Sequence, residues 1–107
     1  MTEKEFNDGL LNNEDCWLMF CKIVFKKDVS KDETIKNPSF TKKLFEAMNK
    51  LTEREKEIIC LRYGLLSGKP KTLEAIGNAF GYIRERVRQF EAHAIREIRE
   101  NLGITLE

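Results

Sequence analysis

The sequence has few residues that interrupt helices, since its 107 residues include only two prolines and six glycines. Charged residues make up 35% and hydrophobic residues 41% of the chain, a composition typical of one compact helical domain. A chain of this length buries about two thirds of the surface that its unfolded form exposes. This is enough for one core, and we expect no second, catalytic domain.

Long apolar runs are also absent. The longest run, residues 16–25, is interrupted by Lys22 and is shorter than the roughly 20 residues that a membrane-spanning helix needs. The chain starts with a polar, acidic segment, whereas a secretory signal has a basic start followed by an apolar stretch. We therefore expect a cytoplasmic protein without a membrane partner.

Metal-binding and catalytic patterns are missing as well. The three cysteines, Cys16, Cys21 and Cys60, have no CxxC spacing, and His93 is the single histidine. This pattern predicts small buried thiols rather than a disulfide framework or a zinc site. We find no paired carboxylates, nucleophile with its base or phosphate-binding loop, so the sequence predicts neither a metal, a cofactor nor an enzyme.

The net charge of +1 does not indicate a nucleic-acid partner, but arginine is unevenly distributed. Residues 1–50 contain nine lysines and no arginine, whereas residues 51–107 contain seven arginines and three lysines. Arginine suits bidentate contacts with phosphate and guanine. The alternative is ordinary pairing of charges on solvated helices.

An apolar stripe characterises the first segment, residues 1–37. At helical spacing it contains Trp17, Phe20, Cys21, Val24 and Phe25, and such a stripe needs burial. A buried strand is the alternative for so short a run. We expect the stripe to cover the core of the remaining chain or to bind a partner. The polar residues 26–38 read as a linker or as a loop ahead of the next helix, and they divide the chain into an N-terminal extension, 1–37, and a domain, 38–107.

Four further helices are predicted after this linker. The first begins near Ser39. The others are bounded by capping residues and glycines and cover Glu53–Tyr63, Leu73–Phe80 and Arg84–Asn101. The short helix, the tight turn and the long helix together predict a helix-turn-helix in an all-α fold. On spacing alone, a helical hairpin without a nucleic-acid role is the alternative.

Four polar residues form a square on the outward face of the last helix: Arg84, Glu85, Arg88 and Gln89. The first turns of a recognition helix meet base edges in the major groove. Arginine can bond guanine, glutamine can bond adenine, and glutamate can accept from cytosine. We interpret the square as a base-reading surface, and the alternative is a solvated face of ion pairs.

Three segments resemble region 4 of bacterial sigma-70 type RNA polymerase sigma factors. They are residues 51–64 (LTEREKEIICLRYG), residues 72–77 (TLEAIG) and residues 84–99 (RERVRQFEAHAIREIR). The resemblance covers residues 40 to about 100. The opening LTEREKEI also resembles two-helix regulators of the LuxR type, but these lack the arginine-rich run.

The resemblance implies a transcription regulator that binds double-stranded promoter DNA and the beta-flap of core RNA polymerase. In the family, residues matching Arg84, Glu85 and Gln89 read bases of the minus-35 element. Five other matching residues contact or approach phosphates, and further ones meet the flap or face upstream activators. The implied phosphate set is Arg54, Arg62, Thr72, Arg86 and Arg88, the flap set is Tyr63, Leu65 and Ile98, and the activator-facing set is His93, Arg96 and Arg99. A bacterial or phage-encoded, nucleoid-associated protein is expected.

The chain departs from the family pattern at several places. The recognition helix follows Gly81-Tyr82-Ile83 without the usual Ser or Thr cap, and Ala75 replaces a common acidic residue. Residues 1–37 do not resemble region 2, which melts promoters in the family. We therefore expect a separate region 2-like subunit for melting.

Two other functions remain as alternatives. One is a stand-alone repressor or activator that dimerises through the N-terminal segment and binds two half-sites. The other is an interaction module that sequesters a polymerase subunit or a sigma partner. The square on the last helix argues against the second, since such a module needs no base-reading side chains.

Overall fold

The structure, a computed structural model, describes residues 2–104 and has six helices in that range. They are α1 (Glu3–Leu11), α2 (Glu14–Phe25), α3 (Pro38–Asn49), α4 (Glu53–Tyr63), α5 (Leu73–Phe80) and α6 (Arg84–Leu102). The described residues contain no strand. The predicted all-α class is confirmed, and residues 14–25 are helical rather than the alternative strand.

Side-chain caps start four of these helices. The hydroxyl of Thr52 accepts from the backbone N–H of Glu55 at 3.2 Å, and the Glu55 carboxylate accepts in return from the backbone N–H of Thr52. The other capping residues are Thr2, Asn37 and Thr72. Because such caps satisfy amides that have no partner within the helix, they fix where each helix begins.

The helix-turn-helix is formed by α5, a short turn and α6. Gly81 ends α5 in the left-handed region at φ 77°, and the backbone N–H of Tyr82 donates to the carbonyl of Gly77 at 2.8 Å. A small cluster of buried side chains, Ile58, Ile76 and Val87, holds α4, α5 and α6 together. The predicted helix-turn-helix is thus present, with α5 at its predicted bounds.

The apolar stripe of α2 lies in the main core. Trp17, Phe20, Cys21 and Val24 are fully buried, and α2 packs on both α4 and α6. Burial also raises the pKa of the Cys21 thiol to about 12, as expected for a thiol in apolar surroundings. In this conformation the stripe offers no surface for dimerisation, because its side chains are covered by their own chain.

Residues 26–37 form a loop ahead of α3, one of the two predicted alternatives, rather than a free linker. Val29 and Thr34 are buried, and the hydroxyl of Thr34 donates to the carbonyl of Ser30 at 2.8 Å. Pro38 is the first residue of α3 rather than part of the preceding loop. The main core contains side chains from both sides of position 37, so the two segments share one core.

Arg99 of α6 fixes the end of α2. Its guanidinium donates to the carbonyls of Ile23 at 2.7 Å and of Val24 at 2.8 Å. Carbonyls in the last turn of a helix have no partner within the helix, and a cation there also meets the negative end of the helix dipole. Arg99 therefore holds α2 against α6.

In the described part of the chain, no helix is both long enough and apolar enough to span a membrane.

We predict that Gly77→Ala destabilises the helix-turn-helix. A Cβ at this position would lie 2.4 Å from the carbonyl oxygen of Tyr82, so the turn has to shift. Overpacking of this kind typically costs about 1–3 kcal/mol. The free energy of unfolding, measured by urea titration, should fall by this amount. Asn78→Ala, at an exposed position of the same helix, is the matched control, and equal stability of the two variants would contradict the prediction.

Candidate nucleic-acid interface

The four residues of the predicted square lie together at the start of α6. Arg84, Glu85, Arg88 and Gln89 are all exposed, whereas Val87 between them is fully buried. The burial of Val87 against α4 and α5 therefore turns the square toward solvent. Among the described residues, the guanidinium of Arg84 has no hydrogen-bond or ion-pair partner, so its donors are free for a ligand.

Glu85 and Arg88 form a bidentate ion pair within the square. The Arg88 Nη2 donates to Glu85 Oε1 at 2.6 Å and its Nε donates to Oε2 at 2.9 Å. The hydrogen bond from Arg88 outweighs desolvation and lowers the pKa of Glu85 below its ordinary value. Exposed pairs of this kind contribute little to stability, so the pair can open when a better partner arrives.

Two further arginines are held by aromatic rings beside the square. The guanidinium of Arg54 lies 4.3 Å from the ring centre of Phe80, and that of Arg86 lies 4.6 Å from the ring centre of Phe90. Stacking on a ring restricts a guanidinium but leaves its in-plane donors accessible. The sequence pattern does not reveal these rings as supports, because helical periodicity places Phe80 and Phe90 among the apolar, inward-facing positions.

Arg62 and Thr72 of the implied phosphate set are already engaged within the chain. Arg62 donates to a carboxylate oxygen of Glu91 at 3.2 Å and to the carbonyl of Lys71 at 3.1 Å. The Thr72 hydroxyl accepts from the backbone N–H of Ala75 at 3.0 Å. Arg62 therefore connects α4 to α6. The Thr72 oxygen is used by the cap, so only its hydroxyl proton is left to donate to another acceptor. No signal in the sequence identified Glu91 as the partner.

Glu55 connects the start of α4 to the middle of α6. Its side chain is almost fully buried, at 4% exposed, and its second oxygen lies 2.6 Å from Nδ1 of His93. Burial alone would raise the pKa of Glu55, but the hydrogen bonds from His93 and Thr52 outweigh it and lower the pKa. The capping box predicted half of this arrangement, but nothing in the sequence indicated the bond to His93.

Glu55, His93 and Glu97 have potential metal-ligand atoms within 4.8 Å of one another. The imidazole lies between the carboxylates and faces them with different nitrogens, since Nε2 is 3.5 Å from Glu97 Oε1. A shared ion would need both carboxylates at one nitrogen, so the ring would have to turn. The present arrangement is a histidine held between two carboxylates.

A trench of about 580 Å³ runs between the start of α4 and the outer face of α6. Three arginines and one histidine line it, Arg86, Arg88, Arg96 and His93, together with the carboxylate of Glu55 and uncharged residues. Such a concave basic surface beside the exposed square is suited to a polyanion. The structure thus places Arg96, expected to face activators, in the same trench as two residues of the implied DNA set.

Similarity to known proteins agrees with this geometry. The family described as "Sigma-70, region 4" matches residues 47–100, half of the chain. The chain belongs to the sigma-70 region 4 family. RNA polymerase sigma factor SigA of a Bacillus species is 48% identical over 56 residues. These residues are 52% of this chain but only 15% of SigA. No solved structure is significantly similar to the chain.

Family membership confirms the resemblance seen in the sequence and the assignment to helix-turn-helix, DNA-binding transcription proteins of the sigma factor kind. The region 4 match begins within α3. Helices α1 and α2 therefore lie outside the matched segment, although they share its core.

The implied flap residues of region 4 do not form an open surface here. Leu65 and Ile98 are fully buried in the main core, and Tyr63 is half-buried with its ring centre 5.2 Å from that of Phe20. Burial, and then the hydrogen bond donated to Glu91, raises the pKa of the Tyr63 hydroxyl. As the chain is folded here, Leu65 and Ile98 are core residues in the cluster that also contains the α2 stripe, and α2 packs on both α4 and α6.

The implied activator-facing residues of region 4 point in different directions. His93 is held by Glu55 and Glu97, and Arg96 is exposed in the trench. Arg99 instead turns toward the end of α2. The guanidinium of Arg99 is thus engaged by carbonyls of its own chain, and its activator-facing role stays a prediction.

We predict that the stabilising effect of Glu55 is lost in acid. Because its pKa in the folded chain lies below the ordinary 4.5, its contribution is present above that value and is lost as the pH falls through the folded-state pKa. Glu55→Gln should cost about 1.5–3 kcal/mol at about pH 6, and this difference from wild type should shrink toward about pH 3.

Urea titrations across this pH range measure the effect of Glu55→Gln. Glu57→Gln removes one exposed carboxylate from the same helix and controls for the change in net charge. A difference between wild type and Glu55→Gln that is independent of pH would show that the charge of Glu55 does not stabilise the fold.

Proposed function

We propose that this chain is a transcription regulator that binds double-stranded promoter DNA at a minus-35-like element through the first turns of α6. The observation that carries the proposal is the exposed square, in which Arg84 has no partner among the described residues and stands beside the Glu85–Arg88 pair. Because the guanidinium of Arg84 is exposed and makes no bond within the described residues, its donors can meet a base edge without first breaking an internal contact.

The chemistry of the square supports base recognition. The fork of Arg84 matches O6 and N7 of guanine, and the amide of Gln89 matches N6 and N7 of adenine. Glu85 can accept from the amino group of cytosine while it orients Arg88 through two hydrogen bonds. The pair thus presents an acceptor and a donor side by side, and because it is exposed it can adjust to a base edge.

Phosphate contacts surround the square in this proposal. Arg54 and Arg86 lie stacked on rings, and Arg96 lies further along the trench. Such contacts set the register of a protein on the duplex without reading its sequence. Thr72 contributes its hydroxyl proton, whereas Arg62 contributes only if it leaves Glu91.

RNA polymerase is the second partner in this proposal, through its beta-flap. The expected flap residues Leu65 and Ile98 lie in the core shared with α2, so in this proposal a partner reaches the groove between α4 and α6 on which α2 packs only when α2 moves away. The bonds from Arg99 to the carbonyls of Ile23 and Val24 oppose this movement. The alternative of a dimer formed through the α2 stripe needs the same rearrangement, since that stripe is buried.

We predict that Arg84→Ala weakens binding and relaxes base preference at one position. A duplex is first selected with the wild-type chain from a randomised library, and affinities are then measured by fluorescence anisotropy at fixed salt. One bidentate base contact is worth about 1–3 kcal/mol, so Kd on the selected duplex should rise accordingly. Lys42→Ala, an exposed charge on α3, is the control. Equal losses by Arg84→Ala on selected and scrambled duplexes would contradict base reading.

We also predict that Arg99→Ala increases capture of the isolated beta-flap domain. Removing the guanidinium frees the carbonyl end of α2 and makes the groove between α4 and α6 easier to open. Pull-downs with the flap domain and with core polymerase measure the effect. Arg96→Ala, on the exposed side of the same helix, is the matched control. If both variants capture the flap domain as wild type does, the polymerase contact does not use this groove.

A further inference from the structure

We propose that Ile83 is a specificity-determining residue, which contacts the C5-methyl group of a thymine next to the bases read by the square. This inference rests on the proposed binding of DNA by α6. The contact of Ile83 adds one apolar interaction to the polar contacts of the square, and the base that it selects is thymine.

The exposure of Ile83 is the first observation. Its side chain is 75% exposed, compared with 58% for Met19 and 38% for Leu66, the other exposed large hydrophobic residues in the described range. A single exposed apolar side chain is common on protein surfaces, so its place in the fold decides its meaning. Ile83 directly precedes Arg84 and Glu85 at the start of α6.

The loss of a helix cap is the second observation. Ile83 is the N-cap residue of α6 and its side chain makes no capping hydrogen bond, whereas Thr52 and Thr72 cap the two preceding helices with their hydroxyls. The backbone N–H of Arg86 donates to the carbonyl of Ile83 instead, at 3.0 Å. Since a hydroxyl here would stabilise the helix, folding does not explain the isoleucine.

The backbone that carries Ile83 is held in place. The preceding residue, Tyr82, donates its N–H to Gly77 at 2.8 Å, and its ring lies 5.4 Å from that of Phe90. The following turn is fixed by the burial of Val87. Ile83 is therefore presented to a ligand on a rigid turn, which reduces the entropy lost on binding.

The chemistry of the major groove identifies the partner of such a side chain. Among the base edges exposed there, only thymine presents an apolar group, its C5-methyl, and aliphatic side chains recognise it by contact. Cytosine, adenine and guanine present donors and acceptors that an isoleucine cannot satisfy. A thymine next to the bases that the square contacts is thus the base that fits Ile83.

Replacement of thymine by deoxyuridine tests this contact, because it removes the methyl group and keeps every hydrogen-bonding atom. In the duplex selected with the wild-type chain, each thymine is replaced in turn, and Kd is measured for wild type and Ile83→Ser, a variant without a side-chain methyl group. One replacement should weaken wild-type binding about fourfold, the effect of burying one methyl group. The same replacement should leave the affinity of Ile83→Ser unchanged.

Two controls separate the possible explanations. Ile83→Ser gains a capping hydroxyl, so its thermal midpoint should not fall, and a loss of methyl discrimination then does not reflect unfolding. Arg84→Ala, which weakens binding by another route, should keep the fourfold effect of deoxyuridine. Loss of the effect in Arg84→Ala would assign the methyl contact to Arg84 instead.

Two results would overturn the inference in distinguishable ways. If wild type selects a preferred duplex, but wild type and Ile83→Ser respond equally to deoxyuridine at every position, Ile83 reads no methyl group while the proposed function stands. If wild type selects no preferred duplex, the proposed function fails and the inference falls with it.

Discussion

The inner face of α6 is buried along its length by two different sets of side chains. Near its start, Val87 packs with Ile58 and Ile76 of the helix-turn-helix. Further along, Ala94, Ile95 and Ile98 lie in the main core, which also contains the α2 stripe. Because a single rigid helix joins the two clusters, packing in either cluster fixes the direction of the outer face. The arrangement of the exposed square therefore depends on side chains that are remote from it.

Glu55 strengthens this connection with one buried carboxylate. One of its oxygens completes the cap of α4 and the other is bonded to His93 of α6. A buried carboxylate is costly unless each of its oxygens is satisfied, and here the satisfied state requires both helices in place. The trench between α4 and α6 therefore has a defined width, which matters for any polyanion that lies along it.

The DNA-binding surface and the flap-binding surface expected from the family differ in exposure in this chain. The surface on α6 is exposed and contains Arg84, which has no partner among the described residues. The expected flap residues Leu65 and Ile98, in contrast, are buried in the core that α2 shares with α4 and α6. Aromatic packing of Phe20 on Tyr63 and the hydrogen bonds from Arg99 keep α2 there. In this conformation the proposed DNA contact through the square needs no helix to move. The proposed contact with the beta-flap requires α2 to move away. The N-terminal helix α2, which lies outside the region 4 match, thus leaves the surface for DNA accessible and covers the surface for the beta-flap.

The sequence by itself determined the helices of the region 4 segment and the composition of their outer face. Local signals suffice there, since a cap such as Thr52 and a left-handed glycine such as Gly81 act within one turn, and helical periodicity separates Val87 from the residues around it. Only the tertiary structure decided that α2 fills the groove and that Arg62 and Arg99 bond their own chain. Periodicity shows which face of a helix is buried but not what covers it, and the partners of these arginines are distant in sequence. Their engagement depends on how whole helices pack, so no local pattern could reveal it.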